Sequence, residues 1–394
     1  MPGTRTSAAT VAAALAVLGL GAPAFAEDAA PQSASSASES TPDSAALKQT
    51  AEAYLQTRAE TVTTASGPRP FQATGAPSVL SAATAPMAAR LRSEFAALAQ
   101  KGQKYKEADG GYTKAEVDVT VTDATTDGDT STVNIVEDGR LYLPFTQEEV
   151  AAGAPEYEEY SLPHTLKFNR AADGKWLLAS DKAHTSGGVV PSTQVTEPVV
   201  VEEDGGGTPE EDEGEKEGRS TPMSPMVSVT PKAAGARYNY NKMVAYADKH
   251  WRNYNDAFRK YSTDCTNFIS QVVYAGGWDP KGGALIDRKK NKYWFYGPTT
   301  LWTSYTWAGA ENWYWFAKKH SKRTKILGSI WHMGIADVLQ ADFNRDNTID
   351  HTMVVTKLYR GIPYLTYHTS NTHNKSLKKI VADYSGSWWY AHRT

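Results

Sequence analysis

Between Ser186 and about Lys232 the chain runs out of the apolar residues from which a core is made. Residues 197–217 hold ten acids and one lysine, broken by Gly205-Gly206-Gly207 and Pro209. Charge repulsion acting on glycine and proline predicts a solvated, extended tether. It divides the 394-residue chain into two folding segments, 44–185 and 235–394, joined by an acidic linker over 186–234. Charge divides at the same place. Gly235 to Thr394 carries 23 basic and 11 acidic residues, a net of +12, which leaves the first 234 residues with 18 basic and 33 acidic, a net of −15. Ten of the 11 tryptophans lie beyond position 250, so the second segment has the material for its own core. A single cysteine excludes a disulfide framework, a cysteine-ligated zinc cluster and an iron–sulfur centre. No apolar run after residue 30 approaches the roughly 20 residues that cross a bilayer, so no transmembrane segment is expected in the mature chain.

Arg5, the apolar run Ala8 to Leu20 and the small-x-small pattern Ala24-Phe25-Ala26 read as a cleaved secretory signal over residues 1–26. A secreted, extracellular protein, in contact with the cell wall, is the expectation. Residues 27–43 are too polar to pack and are expected to be disordered. In the first segment, helical spacing runs from Ala45 to Thr57 and from Met87 to Ala99. Beyond Gly110-Gly111 the period becomes two, predicting strands at Ala115 to Val121, Thr132 to Val136, Leu141 to Leu143, Tyr157 to Phe168 and Lys175 to Ser180. Helices followed by an antiparallel sheet resemble the α+β cone of nuclear-transport-factor-two-like domains. That likeness brings no motif to which chemistry can be assigned, so this segment is expected to be an accessory domain.

The second segment opens with helical spacing from Tyr238 to Tyr261. Asp264-Cys265-Thr266-Asn267 then leads into a second helix, in which Phe268, Ile269, Val272 and Val273 form one apolar face and Gly276-Gly277 ends it. Capping by Asp264 or Thr263 puts Cys265 in the first turn, where unpaired N–H groups and the helix dipole favour a thiolate. The same N–H groups would face a developing oxyanion. Polar neighbours separate Cys265 from the apolar face, which distinguishes it from an ordinary buried cysteine. A thiol nucleophile needs a base. His351 heads the strand-like run His351 to Thr356, and a second strand, Tyr364 to Thr369, carries His368. On the adjacent strand His368 would orient the imidazole of His351, with Asn371 as the rival orienter.

The run Asp264-Cys265-Thr266-Asn267-Phe268-Ile269-Ser270-Gln271, the later Gly334-Ile335-Ala336-Asp337-Val338 and the His351 strand closely resemble the bacterial putative amidase domain family. That family belongs to the papain-like group that includes the CHAP and NlpC-type cell-wall peptidases. The resemblance covers about residues 238–394 and implies a papain-like α+β fold. It implies Cys265 as nucleophile, His351 as general base and acid, and His368 as orienter, and it makes Tyr261 and Asp264 site-shaping residues beside the oxyanion. The implied activity is amide or peptide hydrolysis through an acyl-thioester, without a cofactor, on a cell-wall peptide.

Asp342, Asn344, Asp346, Thr348 and Asp350 alternate like the start of a calcium loop. Asn347 and Met353 stand where an EF-hand needs glycine and glutamate, so a polar turn is the stronger reading and no metal is assigned. The basic net charge suits anionic wall polymers. Nucleic acid is not expected, because no recognised binding motif accompanies the charge. The rival to the enzyme is a catalytically silent wall-binding module on the same shell. The opposed charges of the two halves also raise the expectation that the acidic part masks the cationic one.

Overall fold

The computed structural model describes residues 42–64, 76–185, 187–195, 204–216, 218–223 and 238–394. The expected signal segment, and the expected disordered segment up to residue 41, lie outside these. The elements of the first segment are α1 (Pro42–Thr61), α2 (Ala76–Ser81), α3 (Ala85–Asp109), β1 (Lys114–Asp127), β2 (Thr130–Tyr142), α4 (Gln147–Ala151), β3 (Tyr157–Arg170) and β4 (Trp176–Ala183). Those of the second are α5 (Tyr240–His250), α6 (Cys265–Ala275), α7 (Tyr305–Ala308), α8 (Ala310–Trp315), β5 (Lys325–Ile326), β6 (Val338–Asp342), β7 (His351–Tyr359), β8 (Ile362–Tyr367), β9 (Thr372–Ser376), α9 (Leu377–Asp383) and β10 (Trp388–Arg393). The architecture is α+β, and every strand pair in the sheet is antiparallel.

Helix α3 outgrows its expected span at both ends. Pro86 sits at its start, and Gly110 stops it in the left-handed conformation (φ 91°), donating its N–H to the Lys106 carbonyl. Strand β2 runs unbroken through Glu137, where alternation of apolar residues fails. Inward positions along it are Val133, Ile135, Glu137, Gly139 and Leu141, so Glu137 points into the interior. There it meets Arg58 of α1 (3.1 Å) and His164 of β3 (2.9 Å), and a buried charge with partners can replace an apolar residue.

The two segments that the sequence sets apart share one sheet. Its order is β1-β2-β3-β9-β8-β7-β6-β10-β5, with β4 also paired to β3. The join is at Glu159↔His373 and Tyr160↔Thr372. The expectation of a solvated tether over 186–234 is corrected for parts of it. Residues 187–194 are buried. Val190 donates its N–H to the Tyr384 hydroxyl (3.1 Å), Lys375 Nζ donates to the Val190 carbonyl (3.2 Å), and the Ser192 hydroxyl donates to Glu158 (2.8 Å). The acidic run begins only at Glu197, and the preceding Val189-Val190 has apolar surface to bury.

Two cores flank the second half of the sheet. On one face α5, α6, α7 and α8 enclose Met243, Phe268, Ile269, Val272, Trp294, Trp307 and Trp313 against Val338 and Val354. On the other, α9 and Val189 pack on Leu339, Met353, Val355, Leu365 and Tyr367. Side chains along a strand alternate between faces, and this alternation decides which histidine can reach the cysteine.

Candidate active site

Helix α6 starts at Cys265, with Asp264 at the N-cap position, and its first intrahelical bond runs from Phe268 N–H to the Asp264 carbonyl (3.0 Å). The expected capping by a side chain is corrected, because the Asp264 carboxylate bonds Tyr261, Asn267 and His368 instead of a first-turn N–H. Every polar residue of the Asp264 to Gln271 motif has a specific partner. Asp264 Oδ1 accepts from the Tyr261 N–H (2.8 Å) and from Asn267 Nδ2 (2.9 Å), tying the turn before the helix to its first residues. Asn267 Nδ2 also donates to the Arg259 carbonyl, and its Oδ1 accepts from Trp307 Nε1. Thr266 and Thr352 of β7 join hydroxyls at 2.9 Å. Ser270 accepts from Trp294 Nε1, and Gln271 accepts from the Tyr246 hydroxyl. These bonds fix the pitch of α6 on the sheet and hence the position of its first turn.

Cys265 is buried, with its sulfur 3.7 Å from the Thr266 hydroxyl. The other oxygen of Asp264 accepts from His368 Nδ1 at 2.6 Å, and both side chains are about 1 % exposed. His368 follows β8 on the α6 face. Its ring is held between Phe268 (centroids 3.9 Å) and Tyr254 (4.1 Å), both stacked on it. Its Nε2 lies 2.8 Å from the His250 carbonyl at the end of α5. A carbonyl only accepts, so Nε2 carries the proton in that bond, and Nδ1 shares a short hydrogen bond with Asp264.

Asn371 enters the same cluster through Tyr254, whose hydroxyl donates to Asn371 Oδ1 (2.9 Å). Burial pushes the Tyr254 phenol well above its usual range, and the charge of Asp264 and then Cys265 adds to this. Tyr261 is also buried, and its hydroxyl accepts from Arg259 Nη1 (3.2 Å). The expected residues Cys265, Asp264, His368 and Tyr261 therefore come together, with Asn371 one bond away.

His351 does not join them. Its β7 neighbour Thr352 takes the α6 face, so His351 shares the opposite face with Met353 and Val355, beside Tyr367 (centroids 5.1 Å) and Phe343 (6.3 Å). The backbone of Gly188 lies against the ring, leaving no room for a Cβ there. The assignment of His351 as base is corrected on this geometry: in a strand, a shift of one residue reverses the side of the sheet. Both ring nitrogens lack hydrogen-bond partners among the described residues, and burial pushes the imidazole down to about 3.

His392 is likewise pushed down to about 3, by burial and then by the charge of Lys318. Because both values lie below that of an unfolded histidine, the unfolded chain binds more protons over this interval. The stability that the two neutral rings contribute is complete above about pH 6.5 and is lost as pH falls toward 3, by about 1.4 kcal/mol per pH unit for each ring. Denaturant midpoints from pH 7 to 4 are expected to fall, and His351→Leu to make that fall shallower. An unchanged slope in the variant would contradict the assignment.

Two residues that shape the site were not singled out in the sequence. Helix α5 ends at His250 rather than reaching Tyr261, as its spacing had suggested. The Asn253, Asn255 and Asp256 that follow are weak helix formers. This early end exposes the His250 carbonyl that holds His368 and lets Tyr254 turn onto the imidazole. The asparagine-rich stretch was the available signal. In the calcium-loop candidate, Asp342 accepts from the N–H groups of Arg345 and Asn347, Asp346 from that of Thr348, and Asp350 from that of Phe343. Asn344 bonds Asp346 in both directions. These side chains close a polar turn, and the described residues contain no cluster of three or more metal-ligating groups.

Residues 237–391 match the family model described as "Putative amidase domain". A curated relative from Bacillus subtilis (strain 168), the uncharacterized protein YhbB, is 30% identical over 132 residues, covering 33% of this chain and 41% of that protein. The match thus spans less than half of the relative's length. The crystal structure of the Kfla4162 protein from Kribbella flavida is 26% identical over 22% of this chain and 55% of that one, with a TM-score of 0.17, which carries no argument about fold. The segment that carries Cys265, Asp264 and His368 is thus similar to the putative amidase domain family over residues 237–391.

Proposed function

We propose that the domain hydrolyses an amide or peptide bond with Cys265 as nucleophile and the Asp264–His368 pair as its acid–base partner. The observation that carries this reading is the position of Cys265 at the head of α6, next to a carboxylate that holds a buried imidazole at 2.6 Å. In this reading the Cys265 proton is taken up by His368, and the helix N-terminus favours the thiolate that remains. Sulfur attacks the carbonyl carbon, and the oxyanion is received by N–H groups of the first turn. The tetrahedral intermediate collapses as the C–N bond breaks, and His368 gives its Nε2 proton to the leaving nitrogen. Water then attacks the thioester, His368 takes the proton from that water, and the acid leaves. In this mechanism Nε2 exchanges the His250 carbonyl for the leaving group. Stacking by Phe268 and Tyr254 keeps the ring in its plane during that exchange.

The expected secretory signal, the net charge of +12 over residues 235–394 and the family resemblance support cell-envelope peptides as substrates. Purified muropeptides and simple amides, followed by mass spectrometry of products and of Cys265 adducts, test this. Cys265→Ala is expected to lower turnover by about 10³-fold or more with an unchanged circular dichroism spectrum. Turnover like that of the wild type would remove the claim. The bond from His368 Nε2 to a backbone carbonyl favours a second reading, a silent wall-binding module. That reading predicts sedimentation with purified walls, slow modification by iodoacetamide and no product from any amide.

A further inference from the structure

The acidic segment from Asp204 to Lys216 lies along the basic domain and crosses the loop that leads into Cys265. Asp204 Oδ2 accepts from the Ser262 N–H at 3.0 Å, three residues before the nucleophile. Gly205 is buried against Tyr261 and Ala308, and a Cβ built on it would stand 2.4 Å from the Ala308 Cβ and 3.0 Å from the Tyr261 ring. The Gly206 Cα closes on Gly309, where an added Cβ would come within 2.6 Å. A Cβ on Gly207 would meet the Tyr305 ring at 2.8 Å. A Cβ is therefore excluded at Gly205, which is buried, and would press on the Tyr305 ring at Gly207, which is exposed. Asn312, itself buried, reads the backbone there in both directions: its Nδ2 donates to the Gly207 carbonyl (3.0 Å), and its Oδ1 accepts from the Gly207 N–H (3.2 Å).

Beyond these glycines the acids meet bases. Glu211 lies 3.4 Å from Lys292, and Glu213 lies 3.0 Å from both Lys319 and His320. Glu210 donates its N–H to the Lys289 carbonyl (3.0 Å).

From this geometry we infer that the groove of Tyr261, Tyr305, Ala308, Gly309 and Asn312 is a peptide subsite for an extended chain in which consecutive glycines are followed by acidic residues. The chain's own residues 204–216 occupy it in cis. The shape of the groove selects glycine at two positions, because a Cβ at 205 collides with the Ala308 Cβ and the Tyr261 ring, and one at 207 meets the Tyr305 ring. The lysine rim selects acids more weakly, since exposed ion pairs contribute about 0–1 kcal/mol each. A tethered segment competes at an effective concentration on the order of millimolar, so a peptide in trans binds well only when the strap is out. That this groove serves as the substrate groove rests on the hydrolase reading; the binding itself does not.

The test uses the full chain and a fluorescein-labelled peptide with the sequence of residues 204–216. Gly205→Leu with Gly207→Leu is expected to expel the strap. The variant should bind the peptide about tenfold or more tighter than the wild type does, and a peptide with leucine at the two positions should bind about tenfold more weakly. In the wild type the Gly207 amide should exchange hydrogen more slowly than in the free peptide. Exchange at the free-peptide rate, or equal binding of both peptides by the variant, overturns the inference. The wild-type exchange measurement decides alone if the variant does not fold. Peptide binding retained by Cys265→Ala, with no amide cleaved by any form, would sink the hydrolase and leave the subsite standing.

Discussion

His368→Ala is expected to lower amide hydrolysis by about 10²–10⁴-fold, the usual contribution of a positioned acid–base group, while His351→Leu leaves kcat within about twofold. The two histidines lie on neighbouring strands but on opposite faces of the sheet. Only His368 touches the carboxylate adjoining Cys265. His351 is enclosed with Met353, Val355 and Tyr367 beneath α9, where no substrate can reach it without unfolding that core. The alanine leaves a gap between Phe268 and Tyr254, so a loss of activity alone would not separate chemistry from packing. His368→Gln keeps a donor toward Asp264 and fills more of the space. It is expected to fold but to turn over poorly, and added imidazole should restore part of the rate of His368→Ala. The reverse pattern, an inactive His351→Leu and an active His368→Ala, would return the role of base to His351.

A second large effect is expected far from the cysteine. Arg58→Ala should destabilise the protein by about 3–5 kcal/mol, because it strands buried carboxylates that the guanidinium now pairs. Arg58 is 1% exposed, and its Nη1 lies 3.0 Å from both the Tyr54 hydroxyl and Asp181. Its Nη2 lies 3.1 Å from Glu137. His164 closes the network, with Nδ1 at 2.8 Å from Asp181 and Nε2 at 2.9 Å from Glu137. Burial pushes the Asp181 carboxyl up, but the His164 hydrogen bond and charge, then Arg58 and Tyr54, outweigh it and hold the group well below its usual range. Glu137 is lowered in the same way, against burial, chiefly by Arg58 and then His164.

These two carboxylates therefore contribute stability that is present above their unfolded values and lost as pH falls through the acid range. His164 behaves oppositely. Burial lowers it, the bonds to Asp181 and Glu137 outweigh burial, and its raised value gives stability below about pH 6.5 that is lost at higher pH. A cavity of about 520 Å³ opens over Arg58 and Asp181. Water entering it can solvate the stranded carboxylates, which favours the lower part of the predicted range. Arg58→Lys should recover only part of the loss, since an ammonium cannot fork between Tyr54, Asp181 and Glu137 as the guanidinium does. Denaturant midpoints at pH 7 measure this, and a loss below about 1 kcal/mol for Arg58→Ala would show that the network is not held by the arginine.

Local pattern made much of this molecule legible. The 3.6-residue spacing marked α1, α3 and α6, and alternation marked β1 and parts of β2, because burial of one face imposes those periods whatever the partner. Strands β7 and β8, buried on both faces, were legible only as short β-branched and aromatic runs. The Asp264 to Gln271 motif was readable as a helix start, since its polar residues precede or interrupt an apolar face, but the partners of the Asp264 carboxylate were not. The early end of α5 and the continuity of β2 through Glu137 were not readable. In both, a distant partner, His368 in one and Arg58 in the other, decides what a local propensity leaves open.

The sequence by itself determined the elements of the α+β architecture, the head of helix α6 as the place of the lone cysteine, and the opposed charges of the two halves. Tertiary structure alone decided that β3 and β9 join both halves in one sheet, that Gly205 and Gly207 pack closely on Ala308, Tyr261 and Tyr305, and that His368 rather than His351 meets Asp264. The reason is the same in each case. Periodicity fixes which residues share a face, but the partner opposite that face is set by strand pairing and helix packing between residues more than a hundred positions apart.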